Sequence, residues 1–279
     1  MGAIEFHGLT KNYGKQRGVT ELNFSVEPGE IFGFIGPNGA GKSTTIRLLL
    51  NLIYPTGGGA TILGHDVVTE SATIKRFTSY VPSEVFYYEQ LTVRELLNYA
   101  ASFLDERDTE YVDALCARFQ LDKTRKIEDL SLGNRKKVSL VIALMKRPKV
   151  IILDEPAAGL DPLMQNVLFE VLREHQAGGA TIFLSSHNLP EVERYCDRVA
   201  VIRDGAVVEV ATLADVVKEA RKVVTIQTAD GEKKTFLVKG NLNKLVTRLA
   251  EYDLADLEVR AETLEESFMK YYENEGGAR

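Results

Sequence analysis

Cysteine is scarce in this chain: Cys116 and Cys196 are the only two among 279 residues, and no histidine accompanies them at a metal-binding spacing. That argues against a disulfide framework and against a cysteine–histidine metal centre, and the thiols are expected to be reduced in a cytoplasmic protein. No N-terminal signal sequence is expected, so the sequon Asn23-Phe24-Ser25 carries no meaning. Long apolar runs are also missing. None approaches the roughly eighteen residues that span a bilayer. The longest, Val138 to Met145 broken at Ser139, reads as a core helix. If the chain serves a membrane process, another chain supplies the membrane part. Basic charge is lacking too: the net charge is −6, and direct binding to a nucleic acid is not expected. What remains is 44% apolar and 27% charged, ordinary for a globular protein large enough for one big domain or two modest ones.

What the chain does have is Gly36-Pro37-Asn38-Gly39-Ala40-Gly41-Lys42-Ser43-Thr44, a match to G-x-x-x-x-G-K-[ST]. A plain glycine-rich turn would match those fixed positions by chance in roughly one per cent of chains this long. The context favours the phosphate-binding reading. Ile31-Phe32-Gly33-Phe34-Ile35 precedes the loop as a buried strand, and Thr44 to Leu52 follows as a helix. Glycines let backbone N–H groups turn toward phosphate oxygens, and the helix N-terminus adds partial positive charge. Lys42 would reach the β- and γ-phosphates, and the Ser43 hydroxyl would ligate Mg²⁺.

Before the loop, residues 3–10 and 19–27 alternate as half-exposed antiparallel strands, with Lys11-Asn12-Tyr13-Gly14 as the turn between them. After it, Pro55 to Gly59 breaks the chain, a short strand spans Ala60 to Leu63, 70–77 is helical and Tyr80-Val81-Pro82 ends a strand. In the polar stretch 83–89, Phe86, Tyr87 and Tyr88 cannot all enter one core; some pack under the next helix or form a surface for another protein. From Thr92 to Lys146 the pattern is helical, with stripes at Leu96, Leu97, Ala100, Phe103 and Leu104, at Val112, Leu115, Cys116 and Phe119, and at Val138, Val141, Ile142 and Met145. This predicts a helical subdomain over about 90–147. Val150 to Leu153 reads as a central parallel strand ending in Asp154-Glu155, where open α/β sheets bind ligands. Ala180 to Ser185 repeats the form and ends at Ser186-His187, and a hairpin covers Val199 to Val208. Near residue 213 the texture changes. Strands at Val223 to Gln227, Thr235 to Val238 and Leu257 to Val259, a helix at Leu242 to Glu251 and a capping box at Thr263 to Glu266 opening a helix to Tyr272 predict a small β/α accessory unit over 214–279.

The phosphate loop, Leu130-Ser131-Leu132-Gly133-Asn134, Ile151 to Pro156, Gly159-Leu160-Asp161-Pro162 and Ser186-His187 occur in one order. In this the chain resembles the ATP-binding subunit of an ABC transporter, over residues 3 to about 210. The resemblance implies an α/β, P-loop NTPase ABC-ATPase fold over 1–213, with an antiparallel β layer and a helical subdomain, plus the small C-terminal domain. It also implies a head-to-tail dimer with two ATP molecules between the subunits, and a separate transmembrane permease on whose cytoplasmic face the dimer sits. By that resemblance Tyr13 stacks on adenine, residues 36–44 hold the phosphates, and Ser43 and Asp154 lie on the Mg²⁺ side. Glu155 acts as general base, His187 holds the γ-phosphate, and Ser131 and Gly133 contact ATP bound to the second copy. Asp161 lies in a loop crossing the dimer interface. His7, His65 and His175 match nothing and are expected on the surface or in loops.

Two positions depart from the family pattern. Ser83, followed by Glu84, stands where a glutamine is usual, and either could touch Mg²⁺ through water. Leu132 and Asn134 replace the usual glycine and glutamine, while Gly133 is kept. The stretch between Gly33 and Leu104 and the C-terminal extension most resemble ATPases of bacterial ABC-2-type exporters. In similar proteins the region before 86–88 meets the permease, which makes those aromatics a candidate transmission surface. Two other functions stay open at this point: a soluble ABC ATPase of DNA repair or translation, and a low-turnover regulatory ATP-binding module.

Overall fold

A computed structural model describes residues 1–263 and 266, apart from 15, 86, 105–106, 220, 240–241 and 251. The chain divides into two compact units, Met1–Val210 and Ala211–Arg279. The first begins with β1 (Ile4–Tyr13), β2 (Gln16–Val26), β3 (Ile31–Ile35), α1 (Lys42–Leu49), β4 (Gly57–Ile62), β5 (His65–Asp66), α2 (Ser71–Phe77) and β6 (Thr78–Val81). Helices α3 (Val93–Ala101), α4 (Thr109–Arg118) and α5 (Leu132–Leu144) come next. It closes with β7 (Val150–Asp154), α6 (Pro162–Ala177), β8 (Thr181–Ser186), α7 (Leu189–Tyr195), β9 (Arg198–Arg203) and β10 (Ala206–Thr212), whose last residues begin the second unit.

A six-stranded sheet in the order β10-β9-β3-β8-β7-β6 carries the site. Its strands β6, β7, β8, β3 and β9 pair in parallel. Every residue of β3, β7 and β8 is buried, as strands covered on both faces require. A four-stranded antiparallel sheet, β2-β1-β4-β5, packs on it through a core that includes Ile4, Phe6, Leu22, Phe32, Phe34, Ile152 and Phe183. Phenylalanine rings run through this seam, with centroids 4.0 Å apart for Phe6–Phe24, 5.8 Å for Phe24–Phe34 and 5.4 Å for Phe34–Phe183. Burial of each such ring contributes about 1.5–3 kcal/mol, before any ring-on-ring preference. The seam packs β3 and β8 on the antiparallel sheet, and parallel pairing sets β3, β8 and β7 in register with their carboxyl ends at one edge.

Each helix of the helical stretch has a polar start. Thr92 and Glu95 form a capping box at α3, Asp108 accepts the Tyr111 N–H at α4, and Ser131 accepts the Asn134 N–H at α5. Asp161 does the same for Met164 at α6, where Pro162 supplies a preset φ.

Several expectations are corrected by packing. Tyr13 does not sit in a turn: β1 runs through it and pairs it with Gln16, because the hairpin continues beyond the alternating segment. Strand β4 starts at Gly57, not Ala60, since backbone pairing of His7 with Gly59 and Thr10 with Gly57 overrides the weak strand propensity of glycine. Phe103 leaves the apolar stripe: α3 ends at Ala101 and the ring is 72% exposed. His175 is not a surface residue but buried on α6, where Nε2 lies 2.9 Å from the Tyr111 hydroxyl. Burial pushes its imidazole below the usual pKa, so it is neutral at neutral pH.

The second unit holds α8 (Leu213–Glu219), β11 (Lys222–Thr228), β12 (Lys233–Val238), α9 (Leu242–Leu249) and β13 (Leu254–Ala261). Its sheet is antiparallel, in the order β12-β11-β13, with Val224 opposite both Phe236 and Val259. Val224, Ile226, Leu245 and Leu249 form its small core. The Thr263–Glu266 capping bonds are made, while the helix expected to follow as far as Tyr272 lies outside the described residues.

Candidate functional site

The phosphate loop joins β3 to α1 at the carboxyl edge of the parallel sheet. Gly41 is the N-cap of α1 with φ of 116°, a conformation closed to other residues, and no side chain caps the helix. The leading N–H groups thus stay available to an anion at the positive end of the helix dipole. Lys42 is buried, and its Nζ donates to the carbonyls of Gly36 at 2.7 Å and Pro37 at 3.3 Å. The same ammonium lies 3.3 Å from Oε1 of Glu155.

Strand β7 delivers the carboxylates. Asp154 is buried, and its Oδ1 accepts a 2.6 Å bond from the Ser185 hydroxyl on β8. Glu155 follows at φ of 50°, a backbone region costly for a residue with a Cβ. Its N–H donates to Ser185 Oγ at 3.0 Å, so one buried hydroxyl ties both acidic residues to β8. Oε2 of Glu155 meets His187 Nδ1 at 2.8 Å. Glu155 is thereby held between Lys42 and His187.

A cavity of about 600 Å³ at this edge is lined by Asn38, Gly39, Gly41, Lys42, Ser43 and Thr44 together with Tyr13, Arg47, Ser83 and Glu155. Residues far apart in sequence are therefore brought to one space. Gly36, Pro37 and Ala40 belong to the same loop without lining the cavity, and Asp154 is buried beside it. His187 lines an adjoining cavity of about 330 Å³, which also includes Glu155, Gly159 and Gln165.

Ser131 and Gly133 do not line the phosphate-loop cavity. They lie at the start of α5, where Leu132 is 81% exposed. Ser131 Oγ accepts the Asn134 N–H, which leaves its own O–H to donate elsewhere. A Cβ on Gly133 would sit 2.6 Å from the Gly159 carbonyl oxygen, so the glycine is required by its own chain as well as by any close-approaching ligand.

Among the described residues no group of three or more His, Cys, Asp or Glu could cage a metal. The oxygen donors present, the Ser43 and Ser83 hydroxyls with the Asp154 carboxylate, suit Mg²⁺, which takes one or two carboxylates and fills its shell with phosphate and water. Sequence reasoning missed three residues here. Arg47 could have been found from its position four residues after Ser43 on α1, one turn along the helix. Ser185 carried no signal, since a serine at a strand end is common. Lys136, on α5, is buried, with Nζ donating to the carbonyls of Pro82, Ser83 and Asp154. Burial lowers its pKa to about 8, against the opposing pull of Asp154 and Glu155.

Away from this site, a cavity of about 650 Å³ is lined by Tyr80, Tyr87, Tyr88, Leu96, Tyr99 and Phe103, among others. Tyr87 and Tyr88 differ in burial. Tyr87 is half-buried and its hydroxyl is pushed up to about 12, whereas Tyr88 is 66% exposed and edge-on to Tyr99 at 6.3 Å. Phe86 lies outside the described residues.

Residues 19–158 match the sequence model of the ABC transporter family. The chain is 35% identical to the Nod factor export ATP-binding protein I of Rhizobium etli, over 83% of this chain and 75% of that one. It is 34% identical to the bacitracin transport ATP-binding protein BcrA of Bacillus licheniformis, over 85% and 78% respectively. A solved structure described as an ATP-binding subunit of an ABC transporter superposes with a TM-score of 0.73 at 32% identity, covering 89% of this chain and 99% of that chain. The chain belongs to the ABC transporter family, as an ATP-binding subunit. Subunits of this kind are ATPases that energise transport through a membrane permease, and these relatives do not favour a role in repair or translation.

Proposed function

We propose that this chain hydrolyses Mg-ATP as one half of a homodimer on the cytoplasmic face of a membrane and so drives export through a separate permease. The observation that carries this reading is Glu155, held at a strained φ between Lys42 at 3.3 Å and His187 at 2.8 Å. In this reading ATP lies with adenine on Tyr13 and its phosphates in loop 36–44. When ATP enters, Lys42 exchanges Glu155 for the β- and γ-phosphates, which frees the carboxylate to take a proton from the attacking water. His187, released at the same moment, donates to the γ-phosphate. Ser43 and Asp154, with Ser83 through water, would hold Mg²⁺, which neutralises charge developing on the phosphate oxygens. Ser131 and Gly133 of the second copy complete the site from the far side, at a helix start suited to an anion. ATP binding favours the closed dimer and hydrolysis releases it, which is how a ligand moves an equilibrium.

The relatives named above are export and transport ATPases, which supports the outward direction. The exposed aromatic groove of Tyr88, Tyr99 and Phe103 supplies the apolar surface that a permease segment would cover. No helix among the described residues is long and apolar enough to cross a membrane, so attachment would run through that partner. The test is Glu155→Gln. It should bind ATP normally and turn over about 10²–10⁴-fold more slowly, or about 3–5 kcal/mol of barrier. Turnover close to that of the unaltered chain would remove Glu155 as the base.

A further inference from the structure

Lys136 is a buried cation that the mechanism above does not use. It projects from α5, the helix whose exposed start carries Ser131 and Gly133. Its Nζ donates at 2.7 Å to the Pro82 carbonyl, and at 3.3 Å to those of Ser83 and Asp154. Three acceptors match the three N–H groups of an ammonium. They come from two separate segments: the loop after β6 and the end of β7. In the sheet those strands are neighbours, with Val81 opposite Leu153, but the ladder stops there and the chain beyond it is irregular. Nothing in the ladder itself holds Ser83 near Asp154. The Ser83 hydroxyl lies one bond beyond Cβ, so its reach into the phosphate-loop cavity is set by its backbone.

We infer that Lys136 is a positioning residue for the hydrolytic site: its ammonium binds the Pro82, Ser83 and Asp154 carbonyls together and so fixes where Ser83 and the Asp154 carboxylate meet the magnesium of bound ATP. The same lysine ties those groups to α5. Ser131 is five residues away along the helix, a rise of about 7.5 Å. Movement of the start of α5 against ATP on a second copy is thereby passed to the metal side of this chain's own site. A buried ammonium bound to carbonyls suits this task. Each bond is charge-assisted, and removing the donor leaves carbonyl groups without a partner.

This inference rests on the Mg-ATP reading above, and its test separates the two. The full-length chain and its K136M, K136Q and K136R variants are compared by melting temperature, by affinity for a fluorescent ATP analogue in EDTA, and by the Mg²⁺ concentration giving half-maximal analogue binding. Steady-state kcat and KM are measured alongside. K136M should bind the analogue in EDTA within about twofold of the unaltered chain but need about tenfold more Mg²⁺, with kcat about tenfold lower and KM little changed. K136R, which keeps the charge and the donors, should restore most of the Mg²⁺ affinity. Unchanged Mg²⁺ dependence in K136M overturns the inference. So does equal loss of affinity with and without Mg²⁺ that K136R does not restore, which marks ordinary packing. If K136M fails to fold, K136Q decides in the same terms. An unaltered chain that binds the analogue in a Mg²⁺-dependent way but hydrolyses nothing overturns the ATPase reading, and the Mg²⁺ shift of K136M still judges Lys136.

Discussion

The two ends of the ATP site that one chain carries are built in opposite ways. At the phosphate loop Lys42 is matched to carbonyls and Glu155, Glu155 to His187, and Asp154 to Ser185. At the start of α5 the reverse holds. Ser131 and Leu132 are exposed, and only Gly133 is pressed against its own chain, at Gly159. In the proposed mechanism ATP enters this first end by exchanging partners. The second is a surface with a spare hydroxyl donor and helix N–H groups, and its use requires a molecule from outside. Pre-organisation near the phosphates keeps dipoles fixed where charge develops. In the proposed dimer, exposure at the far end would make completion depend on assembly.

That contrast can be broken from the loop side first. Lys42→Ala should weaken ATP binding by about ten- to a hundredfold, the worth of a charge-assisted contact of about 1.5–3 kcal/mol, in a titration of the isolated chain. If affinity were unchanged, the loop end would not be entered by that exchange. Ser185→Ala strikes the support behind it. With one oxygen removed, the Glu155 N–H and an Asp154 oxygen lose a buried partner, at about 1–3 kcal/mol of stability and with lower kcat. A melting curve together with a turnover assay checks this, and an unshifted melt would show that the bond is dispensable.

The α5 end should answer differently. Gly133→Ala should leave Mg²⁺-free ATP binding within about twofold but lower ATPase by about tenfold or more, because a Cβ 2.6 Å from the Gly159 oxygen forces the helix start aside. Equal damage to binding by the isolated chain would erase the distinction between the ends. Leu132→Asp, the mildest change, should alter stability by less than about 0.5 kcal/mol, since that side chain is 81% exposed. Its effect should be confined to ATP-dependent dimerisation, read by gel filtration with ATP present.

The fold was legible wherever local pattern and burial agree. Ile31–Ile35, Val150–Leu153 and Thr181–Ser185 are wholly apolar or nearly so, and each is a central strand. Errors fell where a local pattern was broken by distant packing. Phe103 continues a helical stripe in sequence, yet α3 ends before it and the ring stays mostly exposed, edge-on to Tyr99. His175 has no signal of burial, and becomes buried because α4 brings Tyr111 against it. Lys136 and Ser185 were invisible for the same reason. Their partners lie 18 to 54 and about 30 residues away, and no spacing rule reaches so far.

By itself the sequence determined the nucleotide chemistry of this protein. A glycine-rich loop between a buried strand and a helix points to a bound phosphate, while the roles proposed for Asp154 and Glu155 rest on the family resemblance. Only the tertiary structure decided how those groups are poised: Glu155 between Lys42 and His187, Asp154 under Ser185, and Lys136 holding the loop at Ser83 against β7. The physical reason is that ion pairs and buried hydrogen bonds depend on distances across the sheet. Those distances are set by strand order and pairing register, not by neighbours along the chain.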